Sequence, residues 1–234
     1  DGVDCTTAAV NVGQFTDAME KALQEGKDIL CVCFSSALST TYQSACIAAE
    51  DLREKYPEAK ILVIDSLSAS RGQGMLLYRA VRERREKNLT IDELDAYVRS
   101  IIQSQCHWFI VDDLNHLKRG GRVSSTAALV GTMLGIKPVM HTSDEGKLVP
   151  VSKVRGRKAS LKALIDKIAE LGIEPSEQVM FICHADCEVE ARAVAEEMKA
   201  RYGVKEVYIN YIGPVIGSHT GPNTMGIFFV GTKR

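Results

Sequence analysis

The chain has 234 residues, 45% of them hydrophobic and 25% charged, with a formal net charge of −1. That length exceeds the roughly 100–150 residues of a typical domain and predicts two domains, each able to bury a core. The near-neutral charge excludes the basic footprint of a nucleic-acid binder. No apolar run reaches the roughly 20 residues of a membrane helix, and the first eleven residues lack the basic-then-apolar pattern of a signal peptide. A cytoplasmic protein with no integral membrane segment is therefore expected. Seven cysteines, an odd number, with Cys31, Cys33 and Cys183 inside apolar strand-like runs, agree with a reducing compartment.

Phe15, Ala18, Met19, Ala22 and Leu23 recur at helical spacing, and the apolar run 29–34 suits a strand buried on both faces. A hydroxyl-rich loop leads into a helix over 41–56. A strand over 61–64, a Gly-punctuated loop and a helix through 85 follow. A further helix begins at Thr90, which forms a capping box with Glu93. A strand over 108–111 completes this half, so strands alternate with helices and the sheet is mostly parallel.

The second half reads differently. Runs 136–141 and 147–153 flank the turn Ser143-Asp144-Glu145-Gly146 and predict an antiparallel hairpin. A helix over 157–171 stops at Gly172. Strand 179–184, helix 188–202 ending at Gly203, and strands 206–211 and 225–230 close the chain. The expectation is a two-domain α/β protein: a mostly parallel α/β domain over 1–110, then a mixed or antiparallel α/β domain over 111–234.

Three stretches can carry chemistry. In Phe34-Ser35-Ser36-Ala37-Leu38-Ser39-Thr40-Thr41-Tyr42 a buried strand runs into hydroxyls that open a helix, where free N–H groups and the helix dipole favour a carboxylate or phosphate; the same residues also suit a plain helix cap. The run 213–224 is crowded with Gly and Pro around His219, and reads either as a loop approaching a ligand or as a structural turn. The run 115–122, with Lys118, Arg119 and Arg122, is joined downstream by Lys153, Arg155, Arg157 and Lys158. These basic residues either dock an acidic group or form a solvated face. Gly72-Gln73-Gly74 lacks the third glycine of a dinucleotide fingerprint, Cys183, His184 and Cys187 fall short of a metal-ligand set, and no nucleophile elbow is present.

Ser35-Ser36-Ala37-Leu38-Ser39-Thr40-Thr41-Tyr42, Leu117-Lys118-Arg119-Gly120-Gly121-Arg122, Ile136-Lys137-Pro138 and Gly217-Ser218-His219-Thr220-Gly221-Pro222, in this order, resemble the DegV family of bacterial fatty-acid-binding proteins. The resemblance implies a carrier that holds one long-chain fatty acid in a tunnel, uses no other cofactor and no metal, and offers the carboxylate to a separate fatty acid kinase catalytic subunit. It implies head-group contacts from Ser39, His219 and Thr7, with Thr6 as a substitute because Ala8 and Val10 depart from the family pattern, and from the basic Arg155. Family members carry strand, helix and strand ahead of this threonine, so the first domain is expected to lack its first elements. Two rival readings remain: an enzyme or phosphotransfer protein using His219 on a small polyol or keto substrate, and a regulatory interaction module.

Overall fold

The computed structural model describes residues 5–124 and 135–234. It divides into two compact units. The first holds Ala8–Ala69 and Gln73–Ile102; the second holds Gln103–Arg234, Ser70–Gly72 and the leading residues up to Thr7.

In the first unit, β1 (Ile29–Cys33) and β2 (Ile61–Asp65) pair in parallel, from Ile29 opposite Ile61 to Cys33 opposite Asp65. Their side chains alternate between two helical layers, as a period of two requires. Cys33, Ile61 and Val63 pack with Met19 and Leu23 of α1 (Val12–Gln24) and with Ala45, Ala49 and Leu52 of α2 (Thr41–Lys55). Ile64 points the other way, among Leu76 and Ala80 of α3 (Arg71–Lys87) and Leu94 and Val98 of α4 (Ile91–Ile101). Burying a side chain the size of Ile64 or Leu52 contributes about 1.5–3 kcal/mol, which is why runs apolar on both faces settle between helices. The Thr90–Glu93 capping box is formed at the start of α4.

The second unit is built on a six-stranded sheet in the order β5-β4-β3-β8-β6-β7. Its strands are β3 (Gln105–Ile110), β4 (Ile136–Thr142), β5 (Leu148–Arg155), β6 (Val179–His184), β7 (Glu206–Tyr211) and β8 (Met225–Val230). All neighbours are antiparallel except β6 and β7. Among the described residues this sheet is accompanied by helices α5 (Leu114–Arg119), α6 (Arg157–Leu171), α7 (Glu188–Tyr202) and α8 (Pro214–Thr220), the last preceding β8. Leu164, Ile165 and Ile168 of α6 and Val194 and Met198 of α7 cover one sheet face, against Trp108, Ile182, Ile227 and Phe229. Phe109 and Met140 meet Leu114 and Leu117 of α5 on the other.

The expected two-domain α/β architecture, with one parallel and one mixed sheet, is therefore present. Two expectations need correcting. The strand read over 108–111 as the close of the first half is β3, an inner strand of the six-stranded sheet of the second unit. Periodicity marks a buried strand but not its partners, and those of β3, β4 and β8, lie downstream. The run 213–224, read as a loop, contains α8.

Candidate functional site

The second unit brings two short helices end to side. Helix α5 starts at Asp113, whose carboxylate accepts from the Asn115 N–H at 2.7 Å, and turns Leu114 and Leu117 into the core. It ends in a Schellman motif: Arg122 N–H donates to Leu117 O at 2.9 Å and Gly121 N–H to Lys118 O at 2.9 Å. Gly121 takes the left-handed conformation, φ 72°, that this motif assigns to glycine. Its neighbour Gly120 has an ordinary φ of −72° and is required for another reason. A Cβ there would lie 2.1 Å from His219 Nδ1, so the imidazole rests on the bare α-carbon. Helix α8 returns the arrangement. A Cβ on Gly221, which ends α8, would lie 2.6 Å from His116 Cδ2 on α5. Each helix is closed by a glycine that accommodates the other's histidine.

His219 is thereby presented to the leading segment, where its Nε2 lies 2.7 Å from Thr7 Oγ1. Thr7, and not Thr6, makes this bond, although both line the same pocket of about 580 Å³ with Cys5, Arg119 and Arg122. His219 is half-buried, and burial first, then the positive charge of Arg122, hold its pKa below the ordinary histidine value. The ring is therefore neutral near pH 7. With the proton on Nε2, the imidazole donates to Thr7, and the threonine hydroxyl is turned outward as a donor; with the other tautomer, Thr7 donates inward and offers only lone pairs. An anion in the pocket selects the first state.

Arg119 Nη2 donates to His116 Nδ1 at 2.9 Å, which places the His116 proton on Nε2, and Arg122 Nη1 donates to Gly120 O. Of the basic run 115–122, undecided by spacing, His116, Arg119 and Arg122 line this pocket. The head-group contacts implied by the resemblance, Thr7, Ser39, His219 and Arg155, include no arginine from this run, and Arg119 and Arg122 add positive charge at the pocket rim.

Ser39 belongs to the first unit. Its Oγ lies 2.7 Å from Thr41 Oγ1 and accepts from the Thr41 N–H at 3.2 Å, so it caps the first turn of α2, while Thr40 at the N-cap makes no side-chain cap bond. When Thr41 donates to Ser39, both Ser39 lone pairs are used and its own proton is left for another acceptor. The Ser36 N–H, one of the groups expected to meet an anion, is met by the Asp65 carboxylate at 3.2 Å. Arg155 is exposed at the end of β5 and lines a separate groove of about 680 Å³ between α6 and α7, with Lys158, Lys162, Glu190 and Glu197. It does not line the Thr7–His219 pocket. Cys183 and His184 are buried in β6, and Cys187 lies within 3.4 Å of Arg157 Nη2. Among the described residues no group of three His, Cys, Asp or Glu side chains is placed to hold a metal, and no helix is long and apolar enough to cross a membrane.

Fold and pocket together define a two-unit α/β protein with a small cation-rimmed pocket that can receive an anionic group. The model of the DegV family, described as uncharacterised protein, matches residues 3–232, and the chain belongs to that family. A DegV domain-containing protein of Clostridium perfringens is 45% identical over 234 residues, all of this chain and 80% of the relative. Among solved structures, a Thermotoga maritima protein whose structure reveals a fatty acid binding function is 30% identical, with a TM-score of 0.84 over 97% of this chain and 78% of that one. A DegV family protein from Eubacterium eligens loaded with heptadecanoic acid is 25% identical, with a TM-score of 0.87 over 96% and 79%.

Proposed function

We propose that the protein binds a long-chain fatty acid and holds its carboxylate at Thr7 and His219; for Ser39, in the first unit, a head-group role rests on the family resemblance alone. The observation that carries this reading is the Thr7–His219 pair, 2.7 Å apart in a pocket rimmed by Arg119 and Arg122. Its supports are the fatty acid binding of the Thermotoga maritima and Eubacterium eligens proteins. Affinity comes mainly from the acyl chain, at about 0.8 kcal/mol per buried CH₂. The donors orient the head group and offset the cost of taking a carboxylate out of water. Arg155, which lines the groove between α6 and α7, is not included in this proposed site.

The second half of the reading is that the protein performs no covalent chemistry itself. A separate ATP-dependent kinase acts on the held acid: a carboxylate oxygen attacks the γ-phosphorus of ATP, ADP leaves, and an acyl phosphate forms. The family resemblance supports this step, as does the exposure of Arg119 at the pocket rim, which leaves a head group there reachable by a partner. Use of His219 as a phosphoryl acceptor or general base fits less well, because Nε2 is engaged by Thr7 and Nδ1 lies on Gly120.

Solvent extraction of protein purified from lipid-replete bacteria, followed by mass spectrometry, tests the binding step. A stoichiometric fatty acid is expected. Empty protein that also takes up no added oleic acid would sink the proposal. Incubation with ATP and a fatty acid kinase then tests for acyl phosphate, and an acid-labile phosphate on His219 would favour the rival.

A further inference from the structure

His219 sits in the last turn of a helix of seven residues, too short to hold its own position. The N-cap of α8, Gly213, makes no side-chain cap bond, and Val215 in the first turn is 57% exposed. What fixes α8 lies just beyond its other end. Thr224 Oγ1 donates to Thr220 O and Gly221 O, both at 3.0 Å. Asn223 is held on three sides: its N–H donates to Ala185 O at 2.7 Å, its carbonyl accepts from Arg157 Nη1 at 2.7 Å, and its side-chain amide donates to Asp112 Oδ2 at 2.9 Å. Asp112 Oδ1 accepts from Lys137 Nζ at 2.7 Å, so the carboxylate is itself anchored. Asp112 follows β3 closely and Ala185 follows β6, so Asn223 ties the end of α8 to two strands of the sheet.

The backbone of Asn223 is left-handed, φ 58°, a conformation that glycine adopts more freely than asparagine. Backbone geometry therefore does not call for the amide; the bond to Asp112 does. We propose that Asn223, gripped by Asp112, is a positioning residue that sets the His219 imidazole against Thr7. Its consequence for lipid presentation rests on the head-group reading above; its effect on the imidazole does not.

The test uses the full chain labelled with ¹⁵N-histidine, the His219 resonances being assigned by their loss in His219→Gln. Asn223→Gly keeps the left-handed backbone and removes only the amide. Its melting temperature should stay within about 3 °C of the parent. Its His219 Nε2 resonance should move toward that of Thr7→Val, and acyl phosphate formation on bound oleic acid should fall about tenfold. Asp112→Ala, which removes the acceptor of the amide, should move the resonance as Asn223→Gly does. An unchanged His219 resonance in Asn223→Gly overturns the proposal, and so does an unchanged resonance in a folded Asp112→Ala. If Asp112→Ala does not fold, Asn223→Gly decides alone. Normal acyl phosphate formation in Thr7→Val would refute the head-group reading instead, while the resonance shift in Asn223→Gly would still uphold the positioning role.

Discussion

Gly120 and Gly121 are adjacent, yet alanine should fail at each for a different reason, and the contrast tests the geometry of the pocket. At Gly120 the backbone accepts alanine, with φ −72°, and helix propensity even favours it by up to about 1 kcal/mol. The new Cβ, however, would stand 2.1 Å from His219 Nδ1 and 2.9 Å from Cε1. To reach an ordinary contact of 3.4 Å the ring must retreat by more than its 2.7 Å bond to Thr7 can absorb. Overpacking costs about 1–3 kcal/mol and the broken bond about 1 kcal/mol, leaving a net loss of about 1–3 kcal/mol. At Gly121 a Cβ meets nothing within 4 Å, and the cost is the left-handed backbone alone, about 1–2 kcal/mol. Both variants should therefore melt a few degrees lower, at about 2–4 °C per kcal/mol. Only Gly120→Ala should lose the His219–Thr7 signature in ¹⁵N spectra and about tenfold in acyl phosphate formation on bound oleic acid. Parent-like behaviour of Gly120→Ala in both assays, or equal loss in Gly121→Ala, would refute the reasoning.

Ser39→Ala should cost about 1 kcal/mol of stability through the lost cap on α2, and should reduce acyl phosphate formation more than it reduces affinity for oleic acid; equal losses count against Ser39 as a head-group donor. Arg122→Met should raise the His219 pKa, because the arginine charge helps to depress it; an NMR titration with an unmoved midpoint would contradict this. Burial pushes His107, hydrogen-bonded to Thr142 at 2.8 Å, down to about 3. The unfolded chain then binds the extra proton between about pH 6.5 and 3, so stability is full above 6.5 and is lost as pH falls through that window. His107→Gln should flatten the urea-measured slope there by about 1.4 kcal/mol per pH unit, and an unchanged slope would rule out His107 as its source.

Long, well-bounded elements were legible in the sequence. The helices Arg157–Leu171 and Glu188–Tyr202 and the strand Val179–His184 carry enough period and punctuation to be read directly. The helices that make the pocket were not. Helices α5 and α8 have six and seven residues, too few turns for an apolar period, and α5 ends on glycines while α8 is flanked by them, which reads as loop. The partnership of Thr7 with His219 spans 212 positions, so no local spacing reveals it, and it came from resemblance to a family. Arg119 and Arg122 were visible as a basic run, but only the fold shows which pocket they rim. The assignment of β3 failed because strand partners are a property of the whole sheet.

The exchange in which Gly120 accommodates His219 and Gly221 accommodates His116 couples four positions across the chain. Enlarging either glycine evicts an imidazole, whereas shrinking either histidine leaves a void beside a bare α-carbon. Single-step drift at any one of the four therefore passes through a damaged intermediate. Related chains should keep each histidine–glycine pair intact or replace both of its members together, and a lineage that has abandoned one pair should show the trace of that change at the head-group pocket.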